Sequence, residues 1–283
     1  MNSKSASGQV HLSPGFGKRI DYLRQLLSPM SVRKGVMVRI GRDYDGGYVM
    51  LDHNISEATA YSIGISDDVS WDLAMANRGC RIFQYDHTIS ELPGLHPNFT
   101  WSKQGLACQK SANAEMRSLQ QMVRDNGHLG VKNLLLKCDA EGAEWAAIQT
   151  TPTSILTRFS QIILEIHSLE MIAADDFYFA AIRMLRKLNR THQLVHIHGN
   201  NCGLLVTAAE TWIPSAMELT YVRKKDHAFE ACAHSFPTDL DMPCTPQRPD
   251  IFLGKWGSKK SRWAQLQLGA NKLAKLLPAL RPT

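Results

Sequence analysis

Leu134-Leu135-Leu136-Lys137-Cys138-Asp139-Ala140-Glu141-Gly142-Ala143-Glu144-Trp145 joins an apolar run of strand length to an acidic turn and a helix start. The run does not alternate with polar residues, so both of its faces are buried. That is the pattern of a parallel strand with cover on each side of its sheet. The turn brings Asp139 and Glu141 to the carboxyl edge of the sheet, where open α/β folds bind ligands. Glu144, in the first helical turn, also complements the helix dipole.

Working outward, the same strand-then-helix alternation repeats on both sides. Ala60–Ile65 precedes a helical pattern over Ser70–Arg78, and Arg81–Tyr85 follows. Thr100–Lys103 leads to a helix over Ala114–Asn126, and Asn133–Cys138 to one over Ala143–Leu156. Gln161–Ile166 leads to Ala173–Leu188; Leu194–Ile197 and Glu218–Arg223 close the series. The last two runs are joined by a long loop without a helical pattern, which places the final strand antiparallel. The expected fold is α/β: a Rossmann-like, seven-stranded, mostly parallel sheet with helices on both faces. Ahead of it, a helix over Ile20–Leu27 ends at Pro29. Val36–Ile40 and Tyr48–Leu51 form a hairpin whose Gly46-Gly47 supplies positive φ angles.

Charge and cysteine content narrow the function classes. The 283 residues carry 32 Lys+Arg against 26 Asp+Glu, a net +6. Seven of those cations lie from Lys255 onward with no acid among them, leaving 25 against 26 in the rest. The body is therefore near neutral, and the basicity belongs to the C-terminal segment. Six cysteines without a CxxC pair indicate neither a disulfide scaffold nor a zinc finger. No apolar stretch reaches transmembrane length, and the polar N-terminus lacks a signal-peptide apolar region, so a cytoplasmic protein is expected.

Four constellations offer chemistry. In Tyr61–Trp71, Gly64 and Ser66 occupy the first strand–helix turn, as a ligand loop or an ordinary βα turn. Two of the three glycines of a dinucleotide fingerprint are missing, which disfavours pyrophosphate. Asp86 lies 22 residues after Gly64, near the spacing at which an acid takes ribose hydroxyls; the alternative is a solvated turn residue. Asp139 and Glu141 form the third. The fourth is Glu165 and His167 ending one strand, and His196 and His198 ending the next, followed by Asn200. Alternation puts each pair on one face of its strand. A His here acts as a general base, joins Asp139 or Glu165 on a divalent metal, or is structural.

These blocks together resemble class I S-adenosylmethionine (SAM)-dependent methyltransferases, specifically the FkbM-type and methyltransferase-like family. Lys137–Trp145 is similar to that family's Lys-hydrophobic-Asp-x-Glu-Gly-x-Glu signature after strand four. Tyr61–Asp72 stands at its first SAM motif and Gln84–Thr88 at its acid after strand two. Gln161–His167 and His196–Asn201 match its strand-five and strand-six ends, and Asp45–Val49 recurs in the relatives. The likeness spans roughly residues 36–223. It implies SAM as cofactor, with Gly64 and Ser66 at its methionine and ribose parts and Asp86 on the ribose hydroxyls. Asp139 would sit at the methionine end, beside the substrate mouth. The implied reaction is O-methylation of a hydroxyl on a sugar or small metabolite; His167 or His198 is the candidate base, and no metal ligand is assigned. Glu141, Glu165, His196 and Asn200 would face the acceptor.

The corresponding domain reading is a flexible leader over residues 1–18 and a methyltransferase domain over 19–254, with its helix and hairpin in 19–58. A basic amphipathic helix over 255–283 follows. Its 258–277 stretch offers peripheral contact with an anionic membrane or packs on the domain. Two rivals remain: a nicotinamide-dependent oxidoreductase and a non-catalytic nucleoside-binding protein on the same scaffold. Nucleic acid is disfavoured as acceptor, because the acidic mouth repels phosphate.

Overall fold

The computed structural model describes residues 8–256. Seven strands form the central sheet: β1 (Thr59–Ile63), β2 (Arg81–Tyr85), β3 (Phe99–Ser102), β4 (Leu134–Asp139), β5 (Phe159–Ile166), β6 (His192–Gly199) and β7 (Met217–Arg223). Their order is β6-β7-β5-β4-β1-β2-β3. β7 runs antiparallel to both of its neighbours, and the other pairings are parallel. Strand order reverses between β4 and β1, so a crevice opens at their carboxyl ends.

The helices are α1 (Gly17–Leu26), α2 (Ser70–Asn77), α3 (Leu119–Asp125), α4 (Glu144–Thr150), α5 (Thr153–Leu156) and α6 (Asp175–Thr191). One face of the sheet packs against α1 and α3 to α6, with Leu134, Leu136, Ile162, Leu164 and Leu219 meeting Ile20, Leu23, Ile148, Met184 and Leu188. On the other face Leu135 and Ile163 join Trp71 and Met75 of α2 with Ile40, Tyr48 and Met50 of the hairpin Met37–Ile40/Tyr48–Leu51. The expected helical cover on that face is thus one helix and a hairpin, among the described residues.

Other departures have local causes. The helix expected over Ala143–Leu156 is two helices, because Pro152 holds Thr151 at ψ 126° and breaks the first. The helix expected over Ala114–Asn126 begins at Leu119, where Ser118 and Gln121 form a reciprocal capping box. Gln9–His11, inside the expected leader, is a strand paired with Leu205–Ala208, which itself pairs with Thr211–Pro214. The helix-free loop before β7 therefore closes a small second sheet. Residues 227–256 wrap the β6–β7 edge as a strap, held where Asn201 bonds Thr245 both ways and where His196 bonds Asp241. The six cysteines form no disulfide. No helix among the described residues is long and apolar enough to cross a membrane. The 258–277 segment lies outside the described residues.

Candidate active site

A cleft of about 350 Å³ occupies the crevice. Its walls come from Ile63–Asp68 after β1, Tyr85–Thr88 after β2 and Lys137–Glu141 at the end of β4. The hairpin contributes Arg42, Asp45, Gly46 and Tyr48, and Leu106 and Met116 add an apolar rim. Of the residues singled out in the sequence, Gly64, Ser66, Asp86, Asp139 and Glu141 line it.

Gly64 has a structural requirement of its own. Its φ is +78°, and a Cβ there would lie 1.7 Å from the Asp139 carbonyl oxygen. Glycine is thus needed for β1 to pass β4, whatever the ligand. Lys137 seals this contact by donating from Nζ to the Gly64 carbonyl at 2.5 Å.

The geometry corrects the role expected for Asp86. Oδ2 accepts the Ile65 and Ser66 amides at 2.8 and 2.9 Å, and Oδ1 accepts the Thr88 amide and hydroxyl at 2.7 and 2.6 Å. A carboxylate has about four lone-pair sites, so the protein itself fills them. Burial raises the pKa of Asp86, but the four donors more than offset it and hold the group at about 2. Asp86 is a clamp that fixes the turn after β1, with Ser66 at φ +50°, to the end of β2. The same bonds consume the amides a phosphate would need.

The fourth constellation divides. Cross-strand register sets Asp139 beside Glu165, Glu165 beside Glu218 and Glu218 beside His198, one row of ionisable side chains across four strands. Asp139 stands at the cleft end. Its Oδ2 lies 3.4 Å from the Tyr48 hydroxyl, and its buried Oδ1 has no hydrogen-bond partner. Burial, reinforced by Glu165, pushes its pKa up to about 7 against the opposing pull of Lys137 and His167.

His167 does not line the cleft. Its Nε2 lies 3.5 to 3.7 Å from carboxylate oxygens of Glu165, Glu141 and Asp139, and its Nδ1 is 3.4 Å from Glu144. Burial opposes the charge, but Glu144 and Glu165 overcome it and raise the pKa to about 11. The surrounding carboxylates favour the charged imidazole, and His167 stands outside the cleft walls; both count against its expected role as a base. Glu144 is fully buried and accepts the Gly142 and His167 amides, which ties the turn after β4 to the end of β5.

His198, His196, Glu165 and Asn200 are not in the cleft walls. Insertion of β7 moves β6 three strand spacings from β4, roughly 14 Å. His198 is buried between Glu218 and Asp250, at 3.1 and 3.0 Å. Burial opposes its charge, yet Glu218 and Asp250 lift its pKa to about 10, and with its place outside the cleft walls this counts against a role as base. His196 bonds Asp241 of the strap at 2.7 Å. Asn200 donates to Glu165 at 2.6 Å and accepts the Cys202 amide. Among the described residues, two trios place ligating atoms close enough to share a metal: Asp139, Glu141 and His167, and His198, Glu218 and Cys244.

Sequence reasoning missed Tyr48, Asp45, Arg42 and Lys137. A lone lysine inside an otherwise apolar strand was the available signal for the last. The other three come from the hairpin, to which the sequence assigns no site role, and nothing local shows that it packs over the cleft.

No family model matches the chain. Probable methyltransferase-like protein 24 of Homo sapiens is 28% identical over 131 residues, 41% of this chain and 35% of the relative. The Rattus norvegicus protein of the same description matches with the same identity and coverage. The chain thus spans about a third of the length of the curated relatives it matches. A SAM-dependent methyltransferase from Agrobacterium tumefaciens is 10% identical, with 59% of this chain and 58% of that chain covered at a TM-score of 0.33. A 16S rRNA (adenine(1408)-N(1))-methyltransferase variant from Catenulisporales acidiphilia is 9% identical, with 68% and 99% covered at 0.31. At these TM-scores the structural likeness decides nothing about the chemistry.

Proposed function

We propose that this chain is a SAM-dependent methyltransferase of the FkbM type that methylates a hydroxyl on a sugar or small metabolite. The observation that carries the reading is Asp139: a carboxylate at the switch-point cleft with one buried oxygen unpartnered and a pKa near neutrality. The sequence likeness to methyltransferase-like proteins supports it.

The residues present suit the cofactor. The walls carry Asp45, Asp67, Asp68, Asp72 and Asp139 against Arg42 and Lys137, an acidic balance that favours a sulfonium cation. Tyr48, Tyr85, Leu106 and Met116 offer apolar surface for a nucleoside. Gly64 and Ser66 would border it, and Asp86 would shape that border without itself taking the diol. When bound, SAM supplies an electrophilic methyl group. The protein positions the acceptor and removes its proton. Asp139 would accept the hydroxyl proton on Oδ2, the oxygen beside the cleft-lining Tyr48 hydroxyl, while Oδ1 stays buried toward His167. Asp45 and Glu141, which also line the cleft, would receive further hydroxyls of a polyol. His167 would hold the row Asp139–Glu165 ionisable by its positive charge.

Methyl transfer from labelled SAM to a panel of sugar and polyol hydroxyls tests the reading, with an RNA oligonucleotide as the competing class. Transfer to a hydroxyl that collapses in Asp139→Asn supports it; transfer to RNA, or transfer indifferent to Asp139, overturns it.

A further inference from the structure

The β6–β7 edge holds, outside the cleft walls, a second convergence of side chains that methyl transfer does not use. His198 Nδ1 lies 3.1 Å from Glu218 Oε2, and Cys244 Sγ lies 3.4 Å from Glu218 Oε1. All three residues are over nine-tenths buried, at 0%, 6% and 4% exposure for His198, Glu218 and Cys244. The other nitrogen of His198 is bonded to Asp250, at 3.0 Å.

We infer that His198, Glu218 and Cys244 form a site for a zinc-class divalent cation that pins the C-terminal strap to the sheet. Zinc takes nitrogen, oxygen and sulfur at about 2.0–2.3 Å, so tetrahedral ligands stand roughly 3.3–3.5 Å apart. The ligand atoms of the three residues lie within 4.8 Å of one another, with His198 Nδ1 3.1 Å from one Glu218 oxygen and Cys244 Sγ 3.4 Å from the other, so a bound ion would draw them together. A thiolate ligand selects zinc-class metals over magnesium or calcium. The Asp250–His198 bond is the outer-shell carboxylate that commonly orients a ligating imidazole.

The site also has an architectural consequence: Cys244 and Asp250 both come from the strap, and the Cys244 carbonyl accepts the Asp45 amide at 3.2 Å. Metal binding would thereby brace the hairpin loop that borders the cleft. On binding, the Cys244 thiol proton and the His198 proton leave to solvent, and no redox change is involved. The inference does not depend on the reading of the cleft.

Titration of chelator-treated, full-length protein with Co²⁺ tests it. One equivalent should bind with a sulfur-to-cobalt charge-transfer band in the near ultraviolet, and Zn²⁺ should displace it. Cys244→Ser should abolish the band, and Asp250→Asn should keep the band while weakening affinity by roughly 10- to 100-fold. Glu141→Gln, in the other trio, should leave band and stoichiometry intact. Absence of the band in the unmutated protein, its persistence in Cys244→Ser, or its loss in Glu141→Gln overturns the assignment. The first of these readouts does not depend on any variant folding.

Discussion

Asp86 separates two accounts of this cleft. If its carboxylate binds a ribose diol, replacing it should weaken ligand binding and leave the fold alone. The structure has all four lone-pair sites filled by Ile65, Ser66 and Thr88, which makes the residue a stability element. Each such bond contributes about 0.5–1.5 kcal/mol, and buried amides left unpaired cost more. Asp86→Ala should therefore destabilise by about 2–4 kcal/mol, a fall in melting temperature on the order of 5–15 °C for a domain of this size. Asp86→Asn is the sharper variant. The amide keeps one oxygen, and its NH₂ would face either the Ile65 and Ser66 amides or the Thr88 amide, donor against donor. It should lose nearly as much as alanine despite being isosteric. Thermal and urea unfolding of the three proteins, read beside SAM titration, measure this. Unchanged melting of Asp86→Asn with lost SAM affinity would refute the clamp and restore the diol. Acid gives the matching sign. The pKa is depressed, so the stabilisation is present above about 4 and fades as pH falls toward 2.

Three further outcomes are expected. For Asp139, kcat/KM of methyl transfer should rise with pH through about 7, because the ionised form accepts the proton. Asp139→Asn should lose about 10²–10⁴-fold, and a flat profile in the unmutated enzyme would count against the base. For His167, NMR should show the imidazole still protonated at pH 9, with Asp139 ionising at higher pH in His167→Gln. Its pKa is raised, so its stabilisation is full below about 6.5 and is lost as pH climbs toward 11. Titration of His167 near 6.5 would contradict this. For Gly64, alanine should destabilise by at least about 3 kcal/mol, since strained φ and a backbone overlap act together; a melting temperature unchanged by the substitution would sink that argument.

The sheet was legible because β4 and β5 are buried on both faces and read as unbroken apolar runs, and Pro and Gly punctuate the rest. The antiparallel last strand was legible from the helix-free loop before it. Its insertion between β5 and β6 was not, since strand order is a tertiary choice, and that choice is what carries His196 and His198 away from the cleft. Gly64, Ser66, Asp86, Asp139 and Glu141 were found because motif spacing tracks strand ends. Their roles were not, because a role depends on neighbours distant in the chain. Asp86 looked free to bind until Thr88 and the Ile65–Ser66 amides were seen around it. His167 looked like a base until Glu144 and Glu165 were seen to keep it charged.

A crystal structure of the protein with S-adenosylhomocysteine is the most direct test. The account expects the ligand in the cleft between Ile63–Asp68, Tyr85–Thr88 and Lys137–Glu141, its sulfur toward Asp139, with the Asp86 bonds to Ile65, Ser66 and Thr88 intact. Failure to bind, or a ligand whose ribose displaces those bonds, would contradict it.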